Sequence, residues 1–247
     1  MVRFARRLSM FAVLATLPTL ASGQDNGKGF LFGEPTGSVT LRGGWALARA
    51  KSDLFAFTTE NLTLNRSDFS SPDLEADLSF RVSPRTEIVV SSGLSGIDRE
   101  SEFRNFIDNN HNPINQATTF RRVPVTLSVK RYLTAPGRSI GRFAWVPSRF
   151  ATYVGAGAGG MYYKFRQAGD FINFKTSDIF SSIYESDGWT HTEHLMAGVD
   201  YSLGPRFALN TEARYMFGSA RLSQDFSGFE RLDLSGLSTT IGLAIRY

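Results

Sequence analysis

The sequence contains no cysteine and only three histidines in its 247 residues. Without cysteine the chain can form no disulfide bond and can carry no lipid anchor on a cysteine side chain. Only His111, His191 and His194 could supply an imidazole as a general base. This scarcity argues against catalysis, and we predict that the protein is not an enzyme.

Long hydrophobic runs are also scarce, and the most apolar segment lies near the start of the chain. A basic segment precedes the mostly apolar residues 8–20, and small residues follow them, an order typical of a secretory signal peptide. The apolar stretch is shorter than the roughly 20 residues that a membrane-spanning helix needs, and Pro18 interrupts it. We predict a signal peptide over residues 1–23, cleaved before Gln24, and a flexible lead-in over residues 24–36.

The rest of the chain shows neither a linker nor a strong charge. No stretch rich in proline, serine and glycine separates two parts, so residues 37–247 are predicted to form one domain. The formal net charge is only +4, which gives no indication of nucleic-acid binding. No second apolar run is long enough for a spanning helix, and a membrane protein without such helices must be a closed β-barrel.

Apolar and polar residues alternate through much of this domain. In the last segment Leu237, Ile241, Leu243 and Ile245 alternate with small or polar residues, and the chain ends on Tyr247. A period of two indicates a β-strand. Eight segments show the pattern: residues 39–47, 74–82, 88–94, 123–132, 153–163, 195–203, 207–217 and a last one that begins near residue 232.

The connections between these segments alternate in length. Tight turns are predicted at residues 83–85 and 204–206, and residues 134–148 are too long for an ordinary turn. An even number of strands joined by alternating short and long connections is typical of bacterial outer-membrane barrels. We therefore predict an all-β fold, an eight-stranded antiparallel transmembrane β-barrel. Its extracellular loops are predicted at residues 49–71, 98–118, 165–188 and 219–231.

The polar side of the strands distinguishes a membrane barrel from a soluble barrel with an apolar lumen. It mixes acids and bases with glycine, serine and threonine, whereas a solvent-facing surface would carry more long charged side chains. The apolar side carries aromatic residues near the strand ends, as expected at membrane interfaces. We predict lipid outside and these charged residues inside: Arg42, Glu75, Asp77, Arg81, Lys130, Asp200, Glu212, Arg214 and Arg246.

These inward charges have two interpretations. They could line a narrow ion path, or they could pair in a salt-bridge network that plugs the lumen. The lumen of an eight-stranded barrel is just wide enough for its own side chains, and the near balance of acids and bases permits pairing, so a plug is favoured.

The histidines do not indicate a metal or catalytic site. On a strand, His191 and Glu193 share one face and His194 points to the other, so they cannot converge on a metal as a helical motif does. His111 lies in an asparagine-rich turn. A lipid hydrolase would need a serine, a histidine and a polar orienting group within reach of one another, and no His-x-Ser pair occurs. We predict no metal, no cofactor and no catalytic residue.

The predicted loops are unusually apolar for exposed connections. Phe171, Phe174, Phe180 and Tyr184 lie in the longest of them. They could form a surface or pore mouth that binds small hydrophobic molecules, host surfaces or partner proteins. Alternatively, the strands continue beyond the membrane and these residues pack the loops together.

Several segments resemble those of a known family. The strand Pro124–Leu133, the strand that begins Tyr153–Gly157 and the terminal Tyr247 are similar to the small eight-stranded outer-membrane barrels of the OmpA, OmpX, OmpW and opacity-protein type. The resemblance implies an outer-membrane location, surrounding lipid and recognition of Tyr247 by the barrel-assembly machinery. It implies a structural or surface-interaction role of the extracellular loops toward an extracellular ligand or host surface; the alternative is a narrow pore for small or hydrophobic solutes.

Overall fold

The described part of the chain begins shortly before the first strand. The structure is a computed structural model that describes residues 33–108, 111–140, 144–174 and 176–247. The predicted signal peptide and all but the last residues of the predicted lead-in lie outside the described residues.

Strands make up most of the described residues. One α-helix, α1 (Asp53–Asn61), and two 3-10 turns, Arg66–Phe69 and Gln224–Phe226, are described in the connections. Within the described ranges no helix has both the length and the apolarity to cross a membrane. The strands are β1 (Gly37–Ala48), β2 (Ser71–Ser83), β3 (Thr86–Ile107), β4 (Pro113–Tyr132), β5 (Gly137–Ile140), β6 (Ala144–Pro147), β7 (Phe150–Ile172), β8 (Ile179–Ser202), β9 (Phe207–Ala220), β10 (Leu232–Asp233) and β11 (Gly236–Arg246).

Eight of the strands close into a ring. β1 pairs with β2 on one side and with β11 on the other, from Ser38 opposite Arg246 to Ala48 opposite Gly236. The antiparallel order around the ring is β1, β2, β3, β4, β7, β8, β9 and β11, and the two-residue β10 pairs with the end of β9. The predicted eight-stranded antiparallel β-barrel is therefore confirmed.

The barrel wall is apolar outside and polar inside. Along β2, burial alternates residue by residue: Leu74 and Leu78 are exposed, whereas Glu75 and Asp77 are buried. Exposed leucine, isoleucine or valine recurs at outward positions of every strand of the ring. Such a surface suits lipid tails rather than water, so the barrel is of the transmembrane type, as predicted.

Two hairpins extend far beyond the other strands at the end of the barrel with the long connections, here called the long-loop end. β7 and β8 have 23 and 24 residues and remain paired up to Ile172 opposite Ile179, and β3 and β4 are similarly extended. A tilted strand needs only about 9–11 residues to cross a bilayer. The loops predicted at residues 98–118 and 165–188 are therefore wrong for most of their length, because strand pairing continues where the apolar outer face ends.

The opposite end, here called the short-turn end, is partly covered by a small hairpin. Residues 134–148 contain β5 paired with β6. Trp145 in β6 is buried, and the guanidinium of Arg246 lies 5.3 Å from the centre of its ring. Because Arg246 lies on the lumen side of β11, this hairpin covers the lumen at the short-turn end.

Candidate functional site

A network of paired charges crosses the lumen in the middle of the barrel. On the β2 side, Arg42 donates from Nη2 to Glu75 Oε2 at 2.5 Å and from Nη1 to Asp77 Oδ2 at 2.6 Å. On the β9 side, it donates to Asn210 Oδ1 and Glu212 Oε1, each at 3.2 Å. All of these side chains are buried. The two sides of the lumen are therefore joined through one guanidinium group.

Arg214 on β9 adds a second cation to this network. Its Nη2 lies 2.7 Å from Glu212 Oε1, 3.7 Å from Glu75 Oε2 and 3.9 Å from Asp77 Oδ1. Gly242 on the intervening strand β11 has no side chain to block the crossing, and a Cβ there would meet a backbone oxygen of β1 at 1.8 Å. Buried charges are tolerated when they are paired and hydrogen bonded, and this arrangement supplies both conditions.

A second polar layer lies nearer the short-turn end. Lys130 Nζ lies 3.4 Å from Asp200 Oδ2 and 3.9 Å from the ring centre of Tyr153. The hydroxyl of Tyr132 donates to Asp200 Oδ2 at 2.6 Å, and the hydroxyl of Tyr153 donates to Glu212 Oε2 at 2.8 Å. The two layers therefore form one connected network, here called the lumen network.

Arg81 and Arg246 lie at the lower edge of the lumen network. Arg81 lies 3.3 Å from Glu87 and 3.4 Å from Glu34, and Arg246 Nη2 donates to Ser202 Oγ at 3.0 Å. All the predicted inward charges thus lie on the lumen side, and they meet in ion pairs and hydrogen bonds.

Some members of the lumen network were not selected in the sequence analysis. Glu87, Tyr132, Tyr153 and Asn210 all bond to the predicted charges and are buried. Each has the same parity along its strand as the inward residues around it. The period of two could have identified Glu87, but the tyrosines resemble interfacial aromatics until their hydroxyl partners are known.

A serine and a histidine also meet inside the barrel. Ser128 on β4 and His194 on β8 flank Gly157 of β7, and Ser128 Oγ lies 2.9 Å from His194 Nε2. The sequence analysis missed this pair because it considered only pairs on one strand. His194 Nδ1 is buried without a hydrogen-bond partner among the described residues, so no carboxylate orients the imidazole as hydrolysis of the triad type requires.

The other residues of the histidine motif lie outside the barrel wall. His191 and Glu193 are exposed and lie 3.3 Å apart, whereas His194 faces the lumen. No group of three metal-ligating side chains occurs in the described part of the chain.

An apolar core fills the lumen at the long-loop end. Phe55 of α1 is fully buried, and its ring centre lies 4.6 Å from that of Phe69, 5.4 Å from Phe120 and 5.8 Å from Phe165, all edge to face. Phe120 and Phe165 come from the inner faces of β4 and β7. α1 therefore lies in the mouth of the barrel and plugs it. The same core includes Leu54, Leu62, Leu64, Ile97, Phe226, Leu232 and Leu234.

An aromatic pocket of about 220 Å³ lies beside this core. Phe171, Phe174, Phe180 and Tyr184 line it, together with aromatic residues of the other long connections. The description of these four as loop residues is corrected for Phe171, Phe180 and Tyr184, which belong to β7 and β8. The structure thus brings the predicted apolar residues together around one cavity and also packs them against the loops.

Two buried glutamines line the same pocket. Gln116 Nε2 donates to the backbone oxygen of Asp170 at 3.0 Å, and Gln167 Nε2 donates to Thr58 Oγ1 at 3.3 Å. Within the described residues no donor bonds to either side-chain oxygen. Aromatic walls with a few placed polar groups are typical of small-molecule pockets, and here the polar groups left over are hydrogen-bond acceptors.

Similarity to known proteins is found in structure and not in sequence. No protein-family model and no curated protein matches the sequence. The outer membrane protein OprG of Pseudomonas aeruginosa is 17% identical with a TM-score of 0.45, over 88% of this chain and 99% of that one. Ail, the attachment invasion locus protein of Yersinia pestis, is 12% identical with a TM-score of 0.44, over 85% and 99%. Neisserial surface protein A is 10% identical with a TM-score of 0.43, over 85% and 96%. The predicted resemblance to small outer-membrane β-barrels is confirmed at the level of the fold alone.

Proposed function

We propose that this protein is an outer-membrane β-barrel with a closed lumen and a structural or surface-interaction role carried by its long-loop end. The observation that supports it is the filling of the lumen at two levels, by the lumen network around Arg42 and by the apolar core around Phe55. A narrow barrel filled in this way offers no continuous path for water or ions. Binding at the long-loop end therefore fits the geometry better than transport.

The long-loop end faces the cell exterior in this proposal. In bacterial outer-membrane barrels the short turns lie on the periplasmic side, and here the barrel strands begin and end at the short-turn end. Tyr247 lies there, partly exposed, with its hydroxyl donating to the backbone oxygen of Ser79 at 3.1 Å. We propose that the barrel-assembly machinery recognises Tyr247 before β11 closes against β1.

The proposed binding site is the aromatic pocket. An apolar cavity of about 150 Å³ is known to hold benzene, so the larger pocket here suits one or two aromatic rings. The side-chain oxygens of Gln116 and Gln167 would accept a hydrogen bond from such a group. The partner is an extracellular molecule or host surface that presents an aromatic group carrying a hydroxyl or N–H donor.

Conductance tests the closed lumen. We expect the protein, purified from the membrane of an expressing bacterium, to give no stable openings in planar lipid bilayers. Glu212→Ala should lower the stability of the barrel without producing conductance, because the lumen network is a structural plug. Regular openings of the unmodified protein, altered by Glu212→Ala, would support the ion path instead.

Binding of 1-naphthol tests the pocket. In nanodiscs, the side-chain amide NMR signals of Gln116 and Gln167 should shift with saturation as the probe is added. Phe180→Ser should weaken this binding, and Ile183→Ser is the matched control because Ile183 is an exposed residue of β8 that does not line the pocket. Shifts that do not saturate, or equal effects of the two variants, would contradict binding in the pocket.

A shortened hairpin gives an independent test. Gly169 and Ser182 are directly opposite each other in the register of β7 and β8, so an Asn-Gly turn in place of residues 170–181 keeps the strands paired. This variant should retain the heat-dependent gel shift of a folded barrel and lose the saturable naphthol shifts. Retained binding would rule out the hairpin as part of the site.

A further inference from the structure

Charge is distributed unevenly between the two ends of the barrel. At the long-loop end, acids and bases are mixed, as in the exposed pair Asp98 and Arg121. At the short-turn end, the negative groups outside the lumen are Glu34, which lies 3.4 Å from Arg81, and the C-terminal carboxylate of Tyr247. The other exposed charged side chains described at that end are all arginines: Arg85, Arg131, Arg138, Arg149 and Arg206.

Two of these arginines lie side by side at the edge of the apolar outer surface. Arg131 on β4 is opposite Thr86 on β3 and donates from Nη1 to its Oγ1 at 2.7 Å, and Arg85 directly precedes Thr86. Val129 and Leu133, two positions away on the same outer face, are both exposed. The guanidinium of Arg131 is therefore held where lipid tails give way to headgroups, as long cationic side chains on membrane proteins are.

A second pair continues the arc along the neighbouring strands. Arg149 precedes β7, donates from Nη2 to Tyr201 Oη at 3.2 Å and lies 5.7 Å from the centre of the Tyr201 ring. The exposed Phe150 packs against the same ring at 5.0 Å. Arg206 directly precedes the exposed Phe207. Aromatic side chains beside cationic ones are typical of the membrane interface.

We propose that Arg85, Arg131, Arg149 and Arg206 form an arginine collar that binds the phosphate headgroups of anionic phospholipids in the adjacent leaflet. The collar is positive, the headgroups are negative, and the planar fork of arginine matches phosphate oxygens better than lysine does. A soluble acidic polymer fits less well, because lipid-facing Leu133 and Phe150 lie directly beside Arg131 and Arg149. This inference goes beyond the proposed function and depends only on insertion into a membrane.

Competition between lipids tests the collar. The purified protein is equilibrated with vesicles of equal parts phosphatidylglycerol and phosphatidylcholine, and the lipids that remain bound are counted by native mass spectrometry. Phosphatidylglycerol should exceed phosphatidylcholine, and Arg131→Gln with Arg149→Gln should reduce this preference, by roughly fivefold for each arginine. The matched control is Arg99→Gln with Arg221→Gln, two exposed arginines of the long-loop end, which should leave the preference unchanged.

Three further comparisons make the test decisive. The heat-dependent gel shift shows whether each variant is folded, and Arg131→Lys with Arg149→Lys keeps the charge and should give an intermediate preference. Raising the salt concentration should weaken the preference, because exposed charges are screened. An unchanged preference in the folded glutamine variant, or an equal loss in the control variant, would overturn the collar. Binding of soluble poly-glutamate in place of the vesicles, lost in the glutamine variant, would also overturn it in favour of an acidic polymer.

Discussion

Replacing Arg42 by methionine removes a buried cation from the centre of the lumen network. Its guanidinium lies 2.5 Å from Glu75, 2.6 Å from Asp77 and 3.2 Å from Glu212, and its side chain is only 2% exposed. Breaking a buried ion pair from one side costs about 3–5 kcal/mol, because the partner charge is left uncompensated. Arg214 stays within 3.9 Å of the same carboxylates. It compensates part of their charge, so we expect a loss of about 3 kcal/mol in the free energy of unfolding, at the lower end of that range.

Urea unfolding in lipid vesicles, followed by tryptophan fluorescence and the gel shift, measures this loss. The matched control is Arg121→Met, since Arg121 pairs with Asp98 at 2.8 Å but is 53% exposed. An exposed pair of this kind contributes between 0 and about 1 kcal/mol. Adding Glu75→Gln to Arg42→Met should recover part of the loss, because it removes one uncompensated carboxylate. Equal losses for Arg42→Met and Arg121→Met would refute the argument from burial.

Two further predictions concern the long-loop end. Phe55→Ala should destabilise the packing of α1 by about 3–5 kcal/mol, so hydrogen exchange should accelerate at α1 while the membrane-spanning strands stay protected; slow exchange at α1 would contradict the packing. Burial raises the pKa of Asp98, but hydrogen bonds from Thr119 and Arg121 outweigh it and hold the pKa below the ordinary 3.8. Its contribution to stability is therefore present above the unfolded-state pKa and is lost as the pH falls through the folded-state value. Arg121→Met should raise this pKa in a carboxyl ¹³C NMR titration, and an unchanged pKa would contradict the role of the pair.

The two faces of the barrel wall could be predicted because a strand has a period of two. Leu41 and Arg42 already indicate which side meets lipid, since a charged residue between apolar neighbours must face a place where it can be paired. The same parity places Glu75 and Glu212 inside without any knowledge of which strands are neighbours. The pairing itself depends on the strand register, and the sequence shows only that acids and bases nearly balance.

The extent of the strands beyond the membrane could not be predicted from the same pattern. Outside the bilayer the outer face of a strand meets water, so alternation of apolar and polar residues no longer distinguishes a strand from a loop. Phe171 and Phe180 show the consequence, because an apolar residue in a strand above the membrane resembles an apolar residue in a loop. Their pairing across β7 and β8 depends on backbone hydrogen bonds that any residue except proline can make.

Contacts between distant segments were also beyond a strand-by-strand reading. Ser128 and His194 meet because β7 lies between their strands and Gly157 leaves the space that a side chain would fill. Phe55 reaches the lumen because α1 folds back into the mouth of the barrel, and its helical segment is too short for a clear periodic signal. Both features follow from closure of the ring, which no single segment encodes.

The chemical difference between the two plugs suggests how stability and binding are separated in this barrel. The lumen network bonds β1, β2, β4, β8 and β9 to one another inside the membrane, where an unpaired charge would be costly. The apolar core instead joins α1 and the long connections to the upper barrel through packing around Phe55, which tolerates changes of shape better than an ion network does. Substitutions at the aromatic pocket can therefore change what the long-loop end binds while the membrane-spanning part remains folded.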